Sequence, residues 1–213
     1  MKIAITGATG LVGTRLVAKL NEQNHQIVVF TRSSAKAQKI FPASRFSALE
    51  IVQYTPQESG TWQDKISGCD GVVNLAGEPI SERWTPQHKK SILESRQIGT
   101  RKIVEAIAKA EVKPQVLISG SAIGYYGTSE TATFDETSSS GNDFLAQVCQ
   151  KWEAEAEAVK EYGVRLVIIR VGIVLANGGG ALAKMLTPFQ LGAGGPIGTG
   201  RQWFSWIRAT RLV

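Results

Sequence analysis

The sequence contains few cysteines and no long apolar segment, and both shortages exclude classes of protein. Cys69 and Cys149 are the only cysteines among 213 residues, too few and too plainly spaced for a disulfide framework or a zinc site. No apolar run approaches the roughly 20 residues of a membrane-spanning helix. A short strand and a glycine loop already occupy the N-terminus, where a signal peptide would stand. We therefore expect a cytoplasmic protein with no metal site and no membrane partner.

The chain also has no concentrated block of positive charge. Its formal net charge is +6, but the basic residues are dispersed and acidic residues interrupt them. A nucleic-acid-binding protein would usually show a Lys/Arg-rich block or a recognised binding motif, so we expect no nucleic-acid partner. The composition, with 43% hydrophobic and 20% charged residues, is ordinary for a globular protein.

The N-terminus contains the most informative pattern in the chain. Residues 2–5 (KIAI) are a short apolar run typical of a buried strand, and a helical apolar pattern follows from Leu11. Between them lies a G-x-x-G-x-x-G spacing, in which Gly7 permits a sharp turn, Gly10 lets the backbone approach a pyrophosphate, and Gly13 allows close helix–strand packing. The phosphates would bind at the helix N-terminus. An ordinary turn of an α/β protein is the alternative. The predicted cofactor contacts of this loop are Gly7, Thr9, Gly10, Leu11, Val12 and Gly13.

The residues after the second apolar run, 27–30 (IVVF), bear on the choice of cofactor. An NAD enzyme usually places an acid here for the ribose 2′-hydroxyl, whereas an NADP enzyme places cations for the 2′-phosphate. No acidic residue occurs between Glu22 and Glu50, while four cations do. NADP(H) is therefore predicted, with Arg32 as the main phosphate ligand and Ser33 assisting it. A solvated surface cation is the alternative for Arg32.

The rest of the chain alternates between strand and helix patterns. A helix is predicted from Pro86, with Thr85 as its N-cap, to about residue 110, and a second long helix ends at Gly163. The predicted fold is α/β, a doubly wound Rossmann-type, mainly parallel sheet with helices on both faces. Small residues at the carboxyl ends of two strands, among them Ser119, leave space for a ligand there. The further predicted strands are 49–54, 71–77, 116–120 and 165–170, and a short helix is predicted near 62–66.

Several short motifs occur along the chain: 6–13 (TGATGLVG), 74–77 (NLAG), 99–100 (GT), 119–121 (SGS) and 170–175 (RVGIVL). Together they resemble the extended short-chain dehydrogenase/reductase family, which contains nucleotide-sugar epimerases and dehydratases. More specific motifs are 77–80 (GEPI), 83–84 (RW), 95–96 (SR), 143–145 (DFL), 152–153 (WE), 194–198 (GGPIG) and 203–207 (WFSWI). These resemble its atypical subgroup of "epimerase family proteins", sometimes described as cell-division-inhibitor-like. By that resemblance Leu75, Ala76, Gly77 and Arg96 join the cofactor site, and NADP(H) is the expected ligand.

The catalytic dyad of typical members, Tyr-x-x-x-Lys, is missing. None of the four tyrosines is followed by lysine four positions later, and the resemblance puts Leu145 and Cys149 at the two dyad positions. Ser121 keeps the identity of a serine that would hydrogen-bond a substrate oxygen, with Tyr125 or Tyr126 replacing the dyad. A hydroxyl that orders the loop is an equal alternative for Ser121.

The end of the chain is the second departure from the family pattern, because relatives continue beyond the Trp-Phe-Ser-Trp-Ile run. We expect residues 1–175 to form an NADP-binding Rossmann domain and residues 176–213 to be the remnant of a truncated substrate-binding region. The aromatic run 203–207 should then be exposed, favouring a homo-oligomer. The resemblance implies an NADP(H)-binding oxidoreductase or nucleotide-sugar-epimerase-like protein acting on a small-molecule substrate. A non-catalytic NADP(H)-binding module that acts through protein contacts, for which the family's label suggests a link to cell division, is the alternative function.

Overall fold

The centre of the fold is a parallel β-sheet of six strands in the order β3-β2-β1-β4-β5-β6. The computed structural model describes residues 1–196 and 198–213, so Ile197 of the 194–198 motif lies outside the described residues. The six strands are β1 Lys2–Thr6, β2 Gln26–Thr31, β3 Leu49–Gln53, β4 Gly71–Asn74, β5 Val116–Ala122 and β6 Arg165–Val171.

Helices cover the sheet between successive strands. The α-helices are α1 Leu11–Glu22, α2 Ser34–Ile40, α3 Pro86–Lys109, α4 Phe144–Glu157, α5 Gly180–Gln190 and α6 Ala209–Leu212. Short 3₁₀ helices span Thr61–Ile66, Ile123–Tyr126 and Ala158–Tyr162.

The strands are apolar throughout because both faces of the sheet are buried. In β1, Ala4 belongs to one hydrophobic cluster and Ile5 to another, and Val28 and Val29 of β2 divide in the same way. Since side chains alternate across a strand, these two clusters lie on opposite faces of the sheet. The structure confirms the predicted doubly wound, Rossmann-type fold.

Several predicted boundaries are confirmed, and others are wrong. Helix α3 begins as expected, because the Thr85 hydroxyl accepts a hydrogen bond from the His88 amide at 3.1 Å and Pro86 is the first helical residue. The strand predicted over 71–77 ends at Asn74, so residues 75–77 form a loop. Helices α2, α5 and α6 were not predicted, and the seven residues of α2 have no clear apolar stripe.

Beyond β6, residues 173–196 and 198–213 contain a second, smaller β-sheet. Strands β7 (Ile173–Ala176) and β8 (Trp206–Arg208) pair in parallel as a two-stranded sheet. The aromatic run is exposed as expected: the exposed fractions of Trp203 and Trp206 are 77% and 55%. The boundary at residue 175 stays a prediction, as does homo-oligomerisation. No described helix is both long and apolar enough to cross a membrane.

Candidate functional site

The order of the strands locates a cleft at the carboxyl edge of the sheet. Strand β1 lies between β2 and β4, so the chain winds to one side through β2 and β3 and to the other through β4 to β6. Ligands of open α/β sheets bind where the winding direction reverses. Thr6 and Asn74, the last residues of β1 and β4, are register partners at this point. The loops that follow them, 7–10 and 75–77, therefore form the cleft.

These two loops touch each other through their backbones. Gly7 has a φ of +69°, and a Cβ atom there would lie 2.7 Å from the Leu75 carbonyl and 2.8 Å from the Ala76 nitrogen. A Cβ atom on Gly13 would lie 2.6 Å from the Cα of Ala8 and would collide with the Gly7 carbonyl oxygen. The sharp turn at Gly7 and the close helix–strand packing at Gly13 are thus present, and both positions exclude a side chain.

Gly10 has a different environment from the other two glycines. A Cβ atom there would meet one described atom, the Gly7 carbonyl oxygen, at 3.2 Å. Gly10 is the N-cap of α1, in extended conformation, and its helix end has no side-chain cap. Because Leu11, Val12 and Gly13 open the helix, their N–H groups have no acceptor within it. The helix start, with half-buried Thr9 before it, therefore presents N–H donors to the cleft, an arrangement that favours anions.

A buried chain of polar side chains holds the loop after β4. The Thr6 hydroxyl donates to Asn74 Oδ1 at 2.7 Å, and Asn74 Nδ2 donates to the Thr100 hydroxyl at 2.9 Å. The Leu75 and Ala76 amides donate to the same Thr6 oxygen at 3.1 and 3.2 Å. All three side chains are buried, so these bonds fix the position of the loop. The sequence analysis did not single out Asn74 or Thr100 as positioning residues.

Arg32 lines a pocket of about 410 Å³ at the carboxyl ends of β2 and β3. Its side chain is 73% exposed, and its Nη1 lies 3.6 Å from Glu78 Oε2. Glu58 lines the same pocket. Glu58 and Glu78 were not predicted as neighbours of Arg32, because they lie far from it in the sequence and the fold brings them close from two later loops. The remaining lining residues are Gln53, Tyr54, Thr55, Pro56, Ser59, Gly60, Thr61 and Trp62.

Ser33 and Tyr54 help to shape this end of the cleft. The Ser33 hydroxyl accepts from the Lys36 amide at 3.3 Å and thereby caps α2. Its hydroxyl hydrogen is not used by this bond, so an assisting contact to phosphate stays a prediction. Burial raises the pKa of Tyr54 to about 12, although the Arg32 charge opposes the shift. Tyr54 is therefore a neutral wall of the pocket.

Ser121 is committed to an ion pair inside the protein. Its hydroxyl donates to Glu153 Oε1 at 2.5 Å. The Glu153 carboxylate also accepts hydrogen bonds from Nε and Nη2 of Arg170, at 2.9 and 2.8 Å. The exposed fractions of the Glu153 and Arg170 side chains are 9% and 18%. The bonds to Glu153 hold the pKa of Arg170 far above its ordinary value. Since the hydrogen of Ser121 is used, its oxygen can only accept a further bond.

Tyr125 and Tyr126 join the same network through Arg170. Arg170 Nη1 donates to the phenolic oxygen of Tyr126 at 3.0 Å, and the guanidinium lies 3.6 Å from the centre of the Tyr125 ring. The Tyr126 ring also stacks on Phe134, with the ring centres 5.3 Å apart. The structure thus brings together the three predicted catalytic residues, and the hydrogen of Tyr126 remains free for another acceptor.

The two dyad positions and Ser119 do not contribute exposed polar groups to the cleft. Leu145 packs with its Cβ against Gly124, and the Cys149 thiol lies 3.8 Å from the carbonyl oxygen of Ala122. Burial raises the pKa of Cys149, so the thiol is protonated at neutral pH. Ser119, predicted as a cofactor contact, is 1% exposed, so its side chain does not reach the cleft here.

Arg96 lies beside the loop after β4. Its Nη1 donates to the Glu78 carbonyl at 3.0 Å, and a Cβ atom on Gly77 would come within 2.8 Å of the guanidinium carbon. Gly77 therefore leaves the space that this guanidinium occupies. Among residues 1–196 and 198–213, no group of His, Cys, Asp and Glu side chains is arranged to hold a metal ion.

The parallel sheet, its reversal point and the uncapped helix behind a glycine loop define a dinucleotide-binding α/β protein. The family model described as "NAD dependent epimerase/dehydratase family" matches residues 3–212. The chain belongs to this family, and the resemblance inferred from its motifs is confirmed.

The chain is clearly similar to a plant protein, a bacterial protein and a human protein of known structure. The epimerase family protein SDR39U1 homolog, chloroplastic, from Arabidopsis thaliana is 51% identical over all of this chain and 60% of its own length. Epimerase family protein YfhF of Bacillus subtilis is 38% identical, over 97% of this chain and 66% of its own. The crystal structure of human SDR39U1 (isoform 2) with NADPH superposes with a TM-score of 0.80 at 34% identity, covering all of this chain and 67% of the human one. The chain thus spans 60–67% of the length of these relatives.

Proposed function

We propose that this chain is an NADP(H)-dependent protein that catalyses an oxidoreductase or epimerase-type reaction on a small-molecule substrate. The observation that carries the proposal is the glycine loop, whose uncapped helix start and open position at Gly10 leave room for a pyrophosphate. When bound, the nicotinamide would supply or accept a hydride. The cytoplasm stays our prediction for its location, and both cysteines are free.

The preference for NADP(H) rests on Arg32. Its guanidinium lines the pocket beyond β2 and is mostly exposed, so it is accessible to a 2′-phosphate. Glu78 and Glu58 oppose a dianion there, but the Arg32–Glu78 contact is long, at 3.6 Å, and the Arg32 side chain is 73% exposed, so the contact is weak. A charge-assisted hydrogen bond to the phosphate contributes about 1.5–3 kcal/mol. This exceeds the free energy of the weak Arg32–Glu78 ion pair. The NADPH in the structure of the human relative supports the same choice.

The proton in such a reaction would come from Tyr126 rather than from Ser121. Arg170 donates to the Tyr126 oxygen, which leaves the phenolic hydrogen available to a substrate oxygen. Ser121 donates its own hydrogen to Glu153 and can therefore only accept from a substrate hydroxyl. Arg170 is a positioning residue in this proposal, and the Glu153 carboxylate fixes it.

A non-catalytic NADP(H)-binding module that acts through protein contacts is the second candidate. This candidate is favoured because Ser121, Glu153 and Arg170 already form hydrogen bonds with one another. The dyad positions, occupied by Leu145 and Cys149, offer no substitute. Turnover separates the two functions, whereas cofactor binding does not.

The test is hydride transfer from NADPH and NADH to a panel of aldehydes, ketones and nucleotide sugars. We expect NADPH-dependent turnover of at least one carbonyl compound, lowered at least about 100-fold by Tyr126→Phe without loss of NADPH affinity. Tyr162→Phe is the matched control, because Tyr162 is 39% exposed and outside the network. Tight NADPH binding with no turnover across the panel would favour the binding module instead.

A further inference from the structure

Tyr126 lies at the end of a very short element of structure. It closes a single turn of 3₁₀ helix, Ile123–Tyr126, whose four residues are all only partly buried. Gly127 follows in the left-handed region, with a φ of +74°. The backbone of such a turn restrains the Tyr126 side chain weakly, so the orientation of the phenol depends on the groups that contact its oxygen and its ring.

The hydrogen bond from Arg170 fixes the phenolic oxygen but not the plane of the ring. Arg170 Nη1 donates to this oxygen at 3.0 Å, and the Tyr126 ring can still turn about the line from its Cβ atom to the oxygen. A phenolic O–H bond lies close to the plane of its ring, because the oxygen is conjugated with the ring. The tilt of the Tyr126 ring therefore decides in which direction its free hydrogen points.

Phe134 restrains this tilt. Its ring stacks on the Tyr126 ring, with the centres 5.3 Å apart and the two planes inclined by 8°. Tyr125 contacts the Tyr126 ring in a nearly perpendicular arrangement, with the centres 5.4 Å apart and an angle of 84°. Both are geometries that aromatic pairs prefer. Since the contact with Phe134 is parallel, any rotation of the Tyr126 ring plane breaks it.

Phe134 belongs to a loop, residues 127–141, whose two ends are joined. A Cβ atom on Gly141 would lie 2.8 Å from the Gly127 nitrogen, so the two backbones touch. The Gly141 amide also donates to the Tyr125 carbonyl at 2.8 Å. The loop is therefore anchored directly beside the tyrosine that it covers.

Further hydrogen bonds hold the loop on either side of Phe134. The Asp135 carboxylate accepts from the Thr137 amide at 3.0 Å and from the Thr137 hydroxyl at 2.8 Å, which forms a tight turn directly after Phe134. Before it, Glu130 Oε2 accepts from Arg201 Nη2 at 2.9 Å. Phe134 is thus presented to Tyr126 by an ordered loop.

We propose that Phe134 is a positioning residue for Tyr126: its ring sets the plane of the phenol and thereby the direction in which Tyr126 donates its free hydrogen. The role of Tyr126 as a proton donor rests on the proposed function, whereas the restraint on its ring does not. Loss of the restraint spreads the O–H bond over several directions, and small errors of alignment at a reacting group lower the rate strongly. Cofactor affinity should be spared, because Phe134 belongs to neither of the loops 7–10 and 75–77 that form the cleft.

The experiment compares Phe134→Leu, which removes the ring, with Phe134→Tyr, which keeps it. Phe134 is 39% exposed, so both variants should fold. Phe189→Leu is the matched control, because it makes the same exchange at a 61% exposed phenylalanine of α5. Carbon relaxation of the Tyr126 ring gives an order parameter that falls when the ring moves about its long axis. The chain has four tyrosines, and Tyr126→Phe assigns the signal. The same proteins are assayed for NADPH-dependent turnover, with kcat and KM measured separately, and titrated with NADPH.

We expect Phe134→Leu to lower the order parameter of the Tyr126 ring and to lower kcat about tenfold, with KM and NADPH affinity nearly unchanged. Phe134→Tyr should restore most of both quantities, and Phe189→Leu should match the wild-type protein. An undiminished order parameter in Phe134→Leu, an equal loss in Phe189→Leu, or a loss of turnover that lies entirely in KM would overturn the proposal. Absence of turnover in the wild-type protein would count against the proposed function alone, because the ring measurement needs no substrate.

Discussion

Replacing Gly10 and Gly13 by alanine should give opposite results, although both belong to one motif and the added methyl group is the same. A Cβ atom on Gly13 would lie 2.6 Å from the Cα of Ala8, a contact between backbone atoms that cannot rotate away. Overpacking of this kind costs about 3 kcal/mol at the upper end of its usual range. Alanine returns about 1 kcal/mol of helix propensity, so Gly13→Ala should destabilise the fold by about 2 kcal/mol. For a chain of this size the melting temperature should fall by about 4–8 °C.

Gly10→Ala should leave the fold nearly intact and damage the site. Its Cβ atom would meet the Gly7 oxygen at 3.2 Å, and the extended backbone at Gly10 suits any residue. Alanine is a poorer N-cap than glycine, which costs less than about 1 kcal/mol. The methyl group would nevertheless occupy the space where the backbone meets the pyrophosphate, so NADPH affinity should fall at least about tenfold. Gly10→Val, with a larger side chain, should abolish binding.

Thermal unfolding followed by circular dichroism measures the first effect, and titration calorimetry with NADPH measures the second. An unchanged melting temperature of Gly13→Ala would refute the expected backbone clash. The pyrophosphate-binding role of the loop is refuted if folded Gly10→Val binds NADPH with undiminished affinity, since the N-terminal motif would then be only a turn.

Three further substitutions test the charges around the cleft. Glu153→Gln removes the counter-charge of Arg170 and should lower the free energy of unfolding by about 3 kcal/mol, measured as a lower denaturation midpoint in urea. An unchanged midpoint would show that the network does not stabilise the fold. Glu78→Gln frees Arg32 from its exposed ion pair and should strengthen NADPH binding up to about fivefold without changing NADH binding, both by calorimetry. An equal change in the affinity of Glu78→Gln for NADPH and for NADH would contradict this. The hydrogen bond from Arg101 lowers the pKa of Glu155 below its ordinary value of 4.5. The stability from this pair is therefore present above about pH 4.5 and lost as the pH falls through the lowered pKa. Unfolding of Glu155→Gln should show a smaller loss over that acid range, and parallel pH profiles would contradict this.

The six strands of the main sheet and the helices α1, α3 and α4 could be predicted because their signals are local. Residues 2–5 and 27–30 are continuous apolar runs, since helices cover both faces of the sheet. Thr85 and Pro86 mark a helix start within two residues. Helix α2 has no such signal: its seven residues are mostly polar, and its cap, Ser33, was interpreted only as a phosphate ligand.

The parts of the site that escaped prediction depend on contacts between distant residues. Glu78 is 46 positions from Arg32 in the sequence, so no local window could show that it opposes the predicted phosphate ligand. Arg170 was noted only as part of a motif, yet it connects Ser121 to Tyr126 through Glu153. The sequence supplied the residue types, whereas the orientation of the Ser121 hydrogen required the packed structure of α4 against β5.

The most direct test of the central claim is the ratio of NADPH to NADH affinity, measured by titration calorimetry on the wild-type chain and on Arg32→Ala. Lys36→Ala is the matched control, because it removes a neighbouring cation on α2. We expect the wild-type protein to prefer NADPH about ten- to a hundredfold. Arg32→Ala should lose most of that preference while binding NADH almost as before, and Lys36→Ala should keep it. Equal affinity of the wild-type protein for the two cofactors would contradict the assignment of this cleft to NADP(H).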